Sequence, residues 1–235
     1  MPGNHTRDSA EAGRRILRPE FGGSGGNGAI HDLMRGPSLG GFVLRVVAWL
    51  PPAFVVWYLA GPLFAFPIGL LTSGVARLGF ADIVQSVEQQ GHLITIVSTL
   101  KATLATTENP AGGVVSVELN ALLYSFGFPM LVALILAARQ PHVLRKLVLG
   151  YVVLAPFVTW GLVAEFLKRV TFDIAPSAAA QTGFGPLQRE AIAFAYQFGA
   201  LILPTVAPAV FWVLTHRRFL EGFAGGEAAA QKPSQ

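Results

Sequence analysis

The sequence predicts an all-α polytopic membrane protein, a four-transmembrane-helix bundle with a small extracytoplasmic β-rich cap. The composition is 52% hydrophobic and only 13% charged, whereas soluble domains contain about 25% charged residues. Four long stretches contain no charged residue, and about 20 apolar residues can cross a hydrocarbon core of about 30 Å. The segment between the first two stretches is instead rich in β-branched residues, which favour strands.

The first 38 residues are expected to form a disordered cytoplasmic tail, 1–38. They include GGSGGNG at positions 22–28 and no sustained apolar period, so they cannot bury enough surface to offset the entropy of ordering. No apolar core of a signal peptide follows their charges.

The first uncharged stretch has 31 residues between Arg45 and Arg77, which is more than one straight span requires. We therefore assign 39–77 to an interfacial segment followed by transmembrane helix 1. A break is expected at Pro51-Pro52 and kinks at Pro62 and Pro67, because proline removes a helical hydrogen bond.

Residues 78–118 are predicted to form the extracytoplasmic β-rich cap. HLITIVSTL (92–100) and VVSVEL (114–119) have the composition of strands, ENPAGG (108–113) that of a turn, and IVQSVEQQG (83–91) fits a strand or a short helix. A sheet of two or three strands is marginal alone, so the cap is expected to need a supporting surface or a partner.

The rest of the chain is divided by its uncharged stretches. Those between Glu118 and Arg139, between Lys146 and Glu165, and between Glu190 and His216 contain 20, 18 and 25 residues. Glu165 stands three and four residues before Lys168 and Arg169, so the third helix is expected to continue past the membrane with a self-paired polar face. The predicted segments are transmembrane helix 2 (119–138), a cytoplasmic basic loop (139–146), transmembrane helix 3 (147–164), an extracytoplasmic loop (165–190), transmembrane helix 4 (191–215) and a cytoplasmic tail (216–235).

The basic residues predict the orientation. Six Lys and Arg precede the first span, three lie in the 139–146 loop and three follow the last span, so twelve of the 17 lie on the side of the termini. Because basic loops stay in the cytoplasm, both termini are predicted to be cytoplasmic. The basic pI of about 9.8 then reflects contact with the lipid bilayer, and no nucleic-acid partner is predicted.

Little in the sequence points to catalysis. The chain contains no cysteine, which excludes a cysteine nucleophile and thiolate metal sites, and no nucleophile elbow, phosphate loop or zinc motif is present. No predicted span has an acidic residue, a basic residue or a histidine in its central part, unlike proton pumps and ion-coupled transporters. No catalytic residue, cofactor or metal is predicted.

Polar residues gather near the predicted outer face. Glu88 and His92 are four residues apart, a spacing that on a helix would place both on one face for metal binding or proton transfer. Alternatively, the two residues belong to a surface or an interface. Glu118 and Asn120 precede the second span, where they could cap the helix or bind a substrate, and Tyr124 lies one turn further in, where a partner for its hydroxyl is expected. The full candidate interaction cluster is Glu88, His92, Glu118, Asn120, Tyr124, Asp173, Arg189 and Glu190.

Six strings of residues carry a family resemblance: WYLAGPL (57–63), VEQQGHLITIV (87–97), ELNALLYSFGFP (118–129), the Trp160-Gly161 pair, QREAIAFAYQFG (188–199) and LPTVAP (203–208). Over about residues 42 to 220 the chain resembles the exosortase H-associated membrane proteins. The resemblance implies a bacterial inner-membrane, multi-pass protein that accompanies an exosortase, a membrane cysteine transpeptidase acting on proteins with a short C-terminal sorting signal. It implies no catalytic residues.

Three functional hypotheses follow. The first is a noncatalytic accessory subunit with an exosortase-like membrane partner, which agrees with the absence of cysteine. The second is a membrane enzyme at the outer face that uses Glu88, His92, Glu118 and Asp173. The third is a small oligomeric channel or transporter, with Pro62, Pro204 and Pro208 lining a pore.

Overall fold

The computed structural model describes residues 39–102, 113–217 and 219–221. The predicted disordered tail, most of the ENPAGG turn and most of the C-terminal tail lie outside the described residues. The helices are α1 (Leu39–Leu59), α2 (Gly61–Gly79), α3 (Ala121–Ser125), α4 (Gly127–Ala137), α5 (Val143–Lys168), α6 (Pro176–Gln181), α7 (Pro186–Gln197) and α8 (Leu203–Thr215). The strands are β1 (Val84–Gln90), β2 (Leu93–Ala102) and β3 (Gly113–Asn120).

The break predicted at Pro51-Pro52 is wrong, because α1 continues through both prolines. Each proline removes one N–H and crowds the carbonyl four residues earlier, but unwinding the helix in an apolar environment would expose more backbone groups. The discontinuity lies at Ala60 (φ −87°, ψ 9°), just before Pro62 in the first turn of α2, where a helix does not use the N–H.

Helical hydrogen bonds cross that discontinuity, from Ala60 N to the Val56 carbonyl (2.9 Å) and from Phe64 N to the Ala60 carbonyl (3.1 Å). At 1.5 Å per residue the segment from Leu39 to Gly79 is about 60 Å long. A single straight crossing of about 30 Å cannot contain it. The second half, α2, packs along β1, with Gly69 against the Gln89 side chain.

Within the described residues, four helical segments are long and apolar enough to cross a membrane: Leu39–Leu59, Gly61–Gly79, Val143–Asp173 and Pro186–Thr215. Four spans were predicted, but they are not the same four. The predicted first span corresponds to both α1 and α2, and the predicted second span, 119–138, is the shorter apolar segment Ala121–Ala137, with Phe126 between α3 and α4. The protein is therefore mostly helical, with the composition of a membrane protein.

Two of these segments contain a π-helical turn. The third predicted helix continues beyond residue 164, as expected, and its end, Arg169–Asp173, is π-helical. The last segment has a second π-helical turn, Phe198–Ile202, between α7 and α8. Such turns widen the helix locally and often occur at functional sites.

The strands form one antiparallel sheet in the order β1-β2-β3. The segment 83–91, which fitted a strand or a helix, contains β1, and both other strand predictions are confirmed. Alternate residues of β2 and β3 are buried, among them Ile94, Ile96 and Leu119. These residues belong to the same buried apolar cluster as Ile68 and Ala76 of α2, so the sheet shares its core with the helices.

Candidate interaction site at the junction of sheet and helices

A chain of polar contacts, buried at Tyr124 and Glu165 and half-exposed at Arg169, joins the sheet to the helices. The Tyr124 hydroxyl donates to one carboxylate oxygen of Glu165 at 2.5 Å, and Arg169 Nε donates to the other, also at 2.5 Å. The Arg169 Nη1 group reaches the backbone carbonyl of Glu118 in β3 at 3.4 Å. Glu165 is the only acidic side chain that is buried among the described residues, and both of its oxygens have partners.

A second ion pair lies beside this chain of contacts. Lys168 Nζ is 2.6 Å from Asp173 Oδ2, and the same ammonium group lies over the ring of Tyr196, 5.1 Å from its centroid. The π-helical turn brings Lys168 and Asp173 together although they are five residues apart, a spacing that an α-helix does not place on one face.

Two adjoining open clefts surround these ion pairs, each of about 330 Å³. The first lies between β3 and the end of α5, and it is lined by Ser116, Val117, Glu118, Glu165, Lys168, Arg169, Asp173 and Ile174. The second lies between the π-helical turn and α6, and it shares Asp173 and Ile174 with the first. Charges of both signs line the clefts, as is common for surfaces that bind polar partners.

Five of the eight candidate residues lie in or near this region. Glu118 and Asp173 line the first cleft and Arg189 lines the second, while Tyr124 is held beneath them by Glu165. Glu88 joins them through the strand register, because Glu88, Thr95 and Glu118 are aligned across the three strands. Two strand spacings separate the two acidic residues by about 10 Å on the outer face of the sheet.

The other three candidates have local roles or none. Asn120 caps α3 by accepting a hydrogen bond from Leu122 N at 2.9 Å, which was one of its two predicted roles. His92 lies in the turn between β1 and β2, and its carbonyl accepts from Ala121 N at 3.0 Å. Glu190 is exposed on α7 and lines neither cleft.

Sequence reasoning missed the central role of Glu165. The spacing of four residues correctly predicts its ion pair with Arg169, but it predicts an exposed polar face, whereas Glu165 is buried and bonded to a tyrosine 41 positions earlier. Only Tyr124 pointed to this contact in the sequence, because a tyrosine inside an apolar segment is expected to need a hydrogen-bond partner.

Two glycines allow the helices to approach each other below this site. A Cβ atom on Gly161 of α5 would lie 2.5 Å from Tyr124 Cδ1 and 3.2 Å from the Gly199 carbonyl oxygen, and one on Gly199 would lie 2.7 Å from Trp160 Cδ1. Small residues permit such close crossings of helices in membranes. Gly161 therefore leaves room for the Tyr124 ring, and Gly199 leaves room for the Trp160 ring, at this helix crossing.

The described residues contain no group of three or more His, Cys, Asp or Glu side chains able to hold a metal ion.

Pro204 and Pro208 are buried and pack against Gly127 of α4, where a Cβ atom would lie 2.6 Å from Pro208 Cγ. These prolines fill the space between α4 and α8.

A family model described as exosortase H-associated membrane protein matches residues 36–219. The match covers well over half of the chain and confirms the resemblance drawn from the six strings of residues. Neither the curated proteins nor the solved structures gave a match.

Proposed function

The chain belongs to the exosortase H-associated membrane protein family, and on that premise we propose that it is a noncatalytic accessory subunit of an exosortase-type membrane enzyme. In this proposal the helices anchor the subunit in the bilayer. The sheet and the two clefts beside it form the surface that contacts the partner.

The observation that carries this proposal is the pair of contacts made by the Glu165 carboxylate. Its two oxygens are occupied by Tyr124 and Arg169, and Arg169 in turn reaches the backbone of β3. A general acid or base needs to exchange a proton with substrate, whereas both oxygens of Glu165 are occupied by contacts that link the helices to one another and, through Arg169, to the sheet. The arrangement fits a rigid binding platform, which loses little entropy on association.

We also propose that the protein lies in a bacterial inner membrane with both termini in the cytoplasm and the sheet outside. Arg139 is close enough to Arg45 for their like charges to interact, and Lys146 contacts His216 at 3.1 Å. These basic residues lie at the ends of α1, α4, α5 and α8, away from the sheet. Their concentration at one end supports the orientation that the positive-inside rule predicts.

Partner binding is tested by copurification in mild detergent. The tagged full-length chain is coexpressed with an exosortase-type membrane protein, as wild type, as Asp173→Lys in the clefts, and as the matched control Asp82→Lys on the exposed turn before β1. We expect the partner to copurify with wild type and control, and to be lost with Asp173→Lys. Equal recovery with all three would exclude the clefts as the contact.

The noncatalytic assignment has its own test. The purified chain alone is incubated in liposomes with a substrate protein of the enzyme, and is then compared with the complex of both proteins. Turnover by the chain alone would contradict an accessory role, and we expect turnover only with the complex.

Orientation is tested by single cysteines, which are unambiguous because the chain has none. Ser116→Cys on the sheet and Arg145→Cys at the opposite end are exposed positions. A membrane-impermeant maleimide added to spheroplasts should label only the cysteine at 116. Labelling of position 145 alone would reverse the proposed orientation.

A further inference from the structure

Another cleft, of about 350 Å³, lies at the other end of the protein, where α5 begins and α8 ends. It is lined by Gln140, Lys146, Leu214, Thr215, His216, Arg217 and Phe219. Its polar groups are an amide, an ammonium, a hydroxyl, an imidazole and a guanidinium, and none of the lining residues is acidic. Neither the family nor the proposed partner contact assigns a role to it.

The hydrogen bonds of His216 direct the Lys146 ammonium toward this cleft. His216 Nδ1 lies 3.0 Å from the Trp212 carbonyl oxygen, which can only accept, so this nitrogen carries the proton. Nε2 is then an acceptor, and it receives a hydrogen bond from Lys146 Nζ at 3.1 Å. An ammonium has three donors, and among the described residues Lys146 uses only this one, which leaves two for a ligand.

The wall of the cleft is fixed by aromatic stacking. His216 is buried and stacks on Trp212 with ring centroids 5.1 Å apart, and Trp212 stacks on Phe42 of α1 at 5.3 Å. The imidazole that holds Lys146 therefore cannot rotate freely. A site built on such a locked side chain is preorganised for a ligand.

No acidic side chain among the described residues forms an ion pair with the basic residues of this cleft. Among the described residues no carboxylate lies within 4.0 Å of Lys146 or Arg217, since the two ion pairs found there involve Lys168 and Arg169. Two cations beside one cleft favour an anion, and a guanidinium with an ammonium matches the oxygens of a phosphate group.

We propose that this cleft binds the phosphate of an anionic phospholipid headgroup. The cleft lies at the ends of two candidate spans, Val143–Asp173 and Pro186–Thr215, which is the depth of the headgroups. Leu214 and Phe219 give it an apolar side, which suits the glycerol and first methylenes of a lipid and would be of no use to a free phosphate ion. Basic pockets between membrane helices bind lipid headgroups in this way.

The test measures lipid retention by the full chain in phosphatidylcholine nanodiscs that contain a minor fraction of phosphatidylglycerol. Wild type is compared with Lys146→Gln/Arg217→Gln and with a matched control, Arg77→Gln/Lys101→Gln, which removes two positive charges away from the cleft. One Lys or Arg contributes roughly a fivefold preference for an anionic surface. The cleft variant should therefore retain about tenfold to thirtyfold less phosphatidylglycerol than wild type, and the control should lose less, because Arg77 and Lys101 do not line this cleft. An equal loss in both variants would show a general effect of surface charge and would overturn the site.

A second measurement separates lipid from free phosphate and does not depend on the double variant. Phosphatidylglycerol should raise the unfolding temperature of the wild type, and it should raise that of the exposed single variant Arg217→Gln by less. Inorganic phosphate added to phosphatidylcholine nanodiscs should leave the unfolding temperature unchanged. Stabilisation by inorganic phosphate equal to that by phosphatidylglycerol would overturn the lipid assignment. Equal phosphatidylglycerol retention by wild type and cleft variant would overturn the site itself.

Discussion

Substituting Tyr124 by phenylalanine tests whether the buried contact with Glu165 holds the structure together. The ring and its packing stay, so the change removes only the hydroxyl that lies 2.5 Å from Glu165 Oε2. A hydrogen bond to a charged group contributes about 1.5–3 kcal/mol to stability. For a chain of this size, 1 kcal/mol corresponds to about 2–4 °C in Tm, so we expect Tm to fall by about 3–12 °C.

The measurement is thermal unfolding of the full chain in one detergent, with Tyr196→Phe as the matched control. The ring of Tyr196 contacts Lys168, and a phenylalanine ring would keep this contact. Within the described residues the Tyr196 hydroxyl makes no hydrogen bond, so the Tm of Tyr196→Phe should stay within about 1–2 °C of wild type.

A double-mutant cycle with Glu165→Gln isolates the pair from the rest of the site. Residues in direct contact show coupling energies of about 0.5–3 kcal/mol, and we expect a value in the upper half of this range. A coupling energy near zero, or equal Tm values for Tyr124→Phe and Tyr196→Phe, would show that the contact does not hold the sheet to the helices.

Three further changes probe other parts of the structure by thermal unfolding. Gly161→Ala should destabilise the protein by about 1–3 kcal/mol, because its Cβ would lie 2.5 Å from the Tyr124 ring. Gly74→Ala, which has nothing within 4 Å of its Cβ, should stabilise the protein by about 0.5–1 kcal/mol. Changes of the same sign in both variants would refute the close helix crossing at Gly161. Ser98→Ala should cost about 1–3 kcal/mol, because the buried hydroxyl donates to the Val115 carbonyl at 2.7 Å, and the exposed Ser116→Ala should change little. Burial lowers the pKa of His216, so the unfolded chain binds its proton more readily. The contribution of His216 to the free energy of unfolding should be constant above about pH 6.5 and should decline as the pH falls below it. His216→Gln should therefore lose less stability than wild type as the pH falls below about 6.5.

The membrane character and the strands could be predicted from the sequence because both follow from local composition. Long uncharged stretches and β-branched runs need no knowledge of distant residues, and the role of Asn120 as a cap depends only on the helix that follows it. The pair between Glu165 and Arg169 was predictable for the same reason, since four residues of helix fix its geometry.

The helix boundaries were harder because several local preferences compete there. Pro51-Pro52 and Pro62 both disfavour a continuous helix, and the sequence does not say which one the chain tolerates. The structure keeps the helix through the first pair and interrupts it at Ala60, where a proline falls in the first turn of the next helix and loses no hydrogen bond.

The sequence by itself determined that this chain is a mostly helical membrane protein with a small sheet and a strongly basic end. Only the tertiary structure decided that Glu165 is buried against Tyr124, that Lys168 pairs with Asp173, and that Lys146 and Arg217 share a cleft. The physical reason is that burial, and with it the strength of a charged contact, depends on which distant segments pack together. Local patterns of charge do not contain that information.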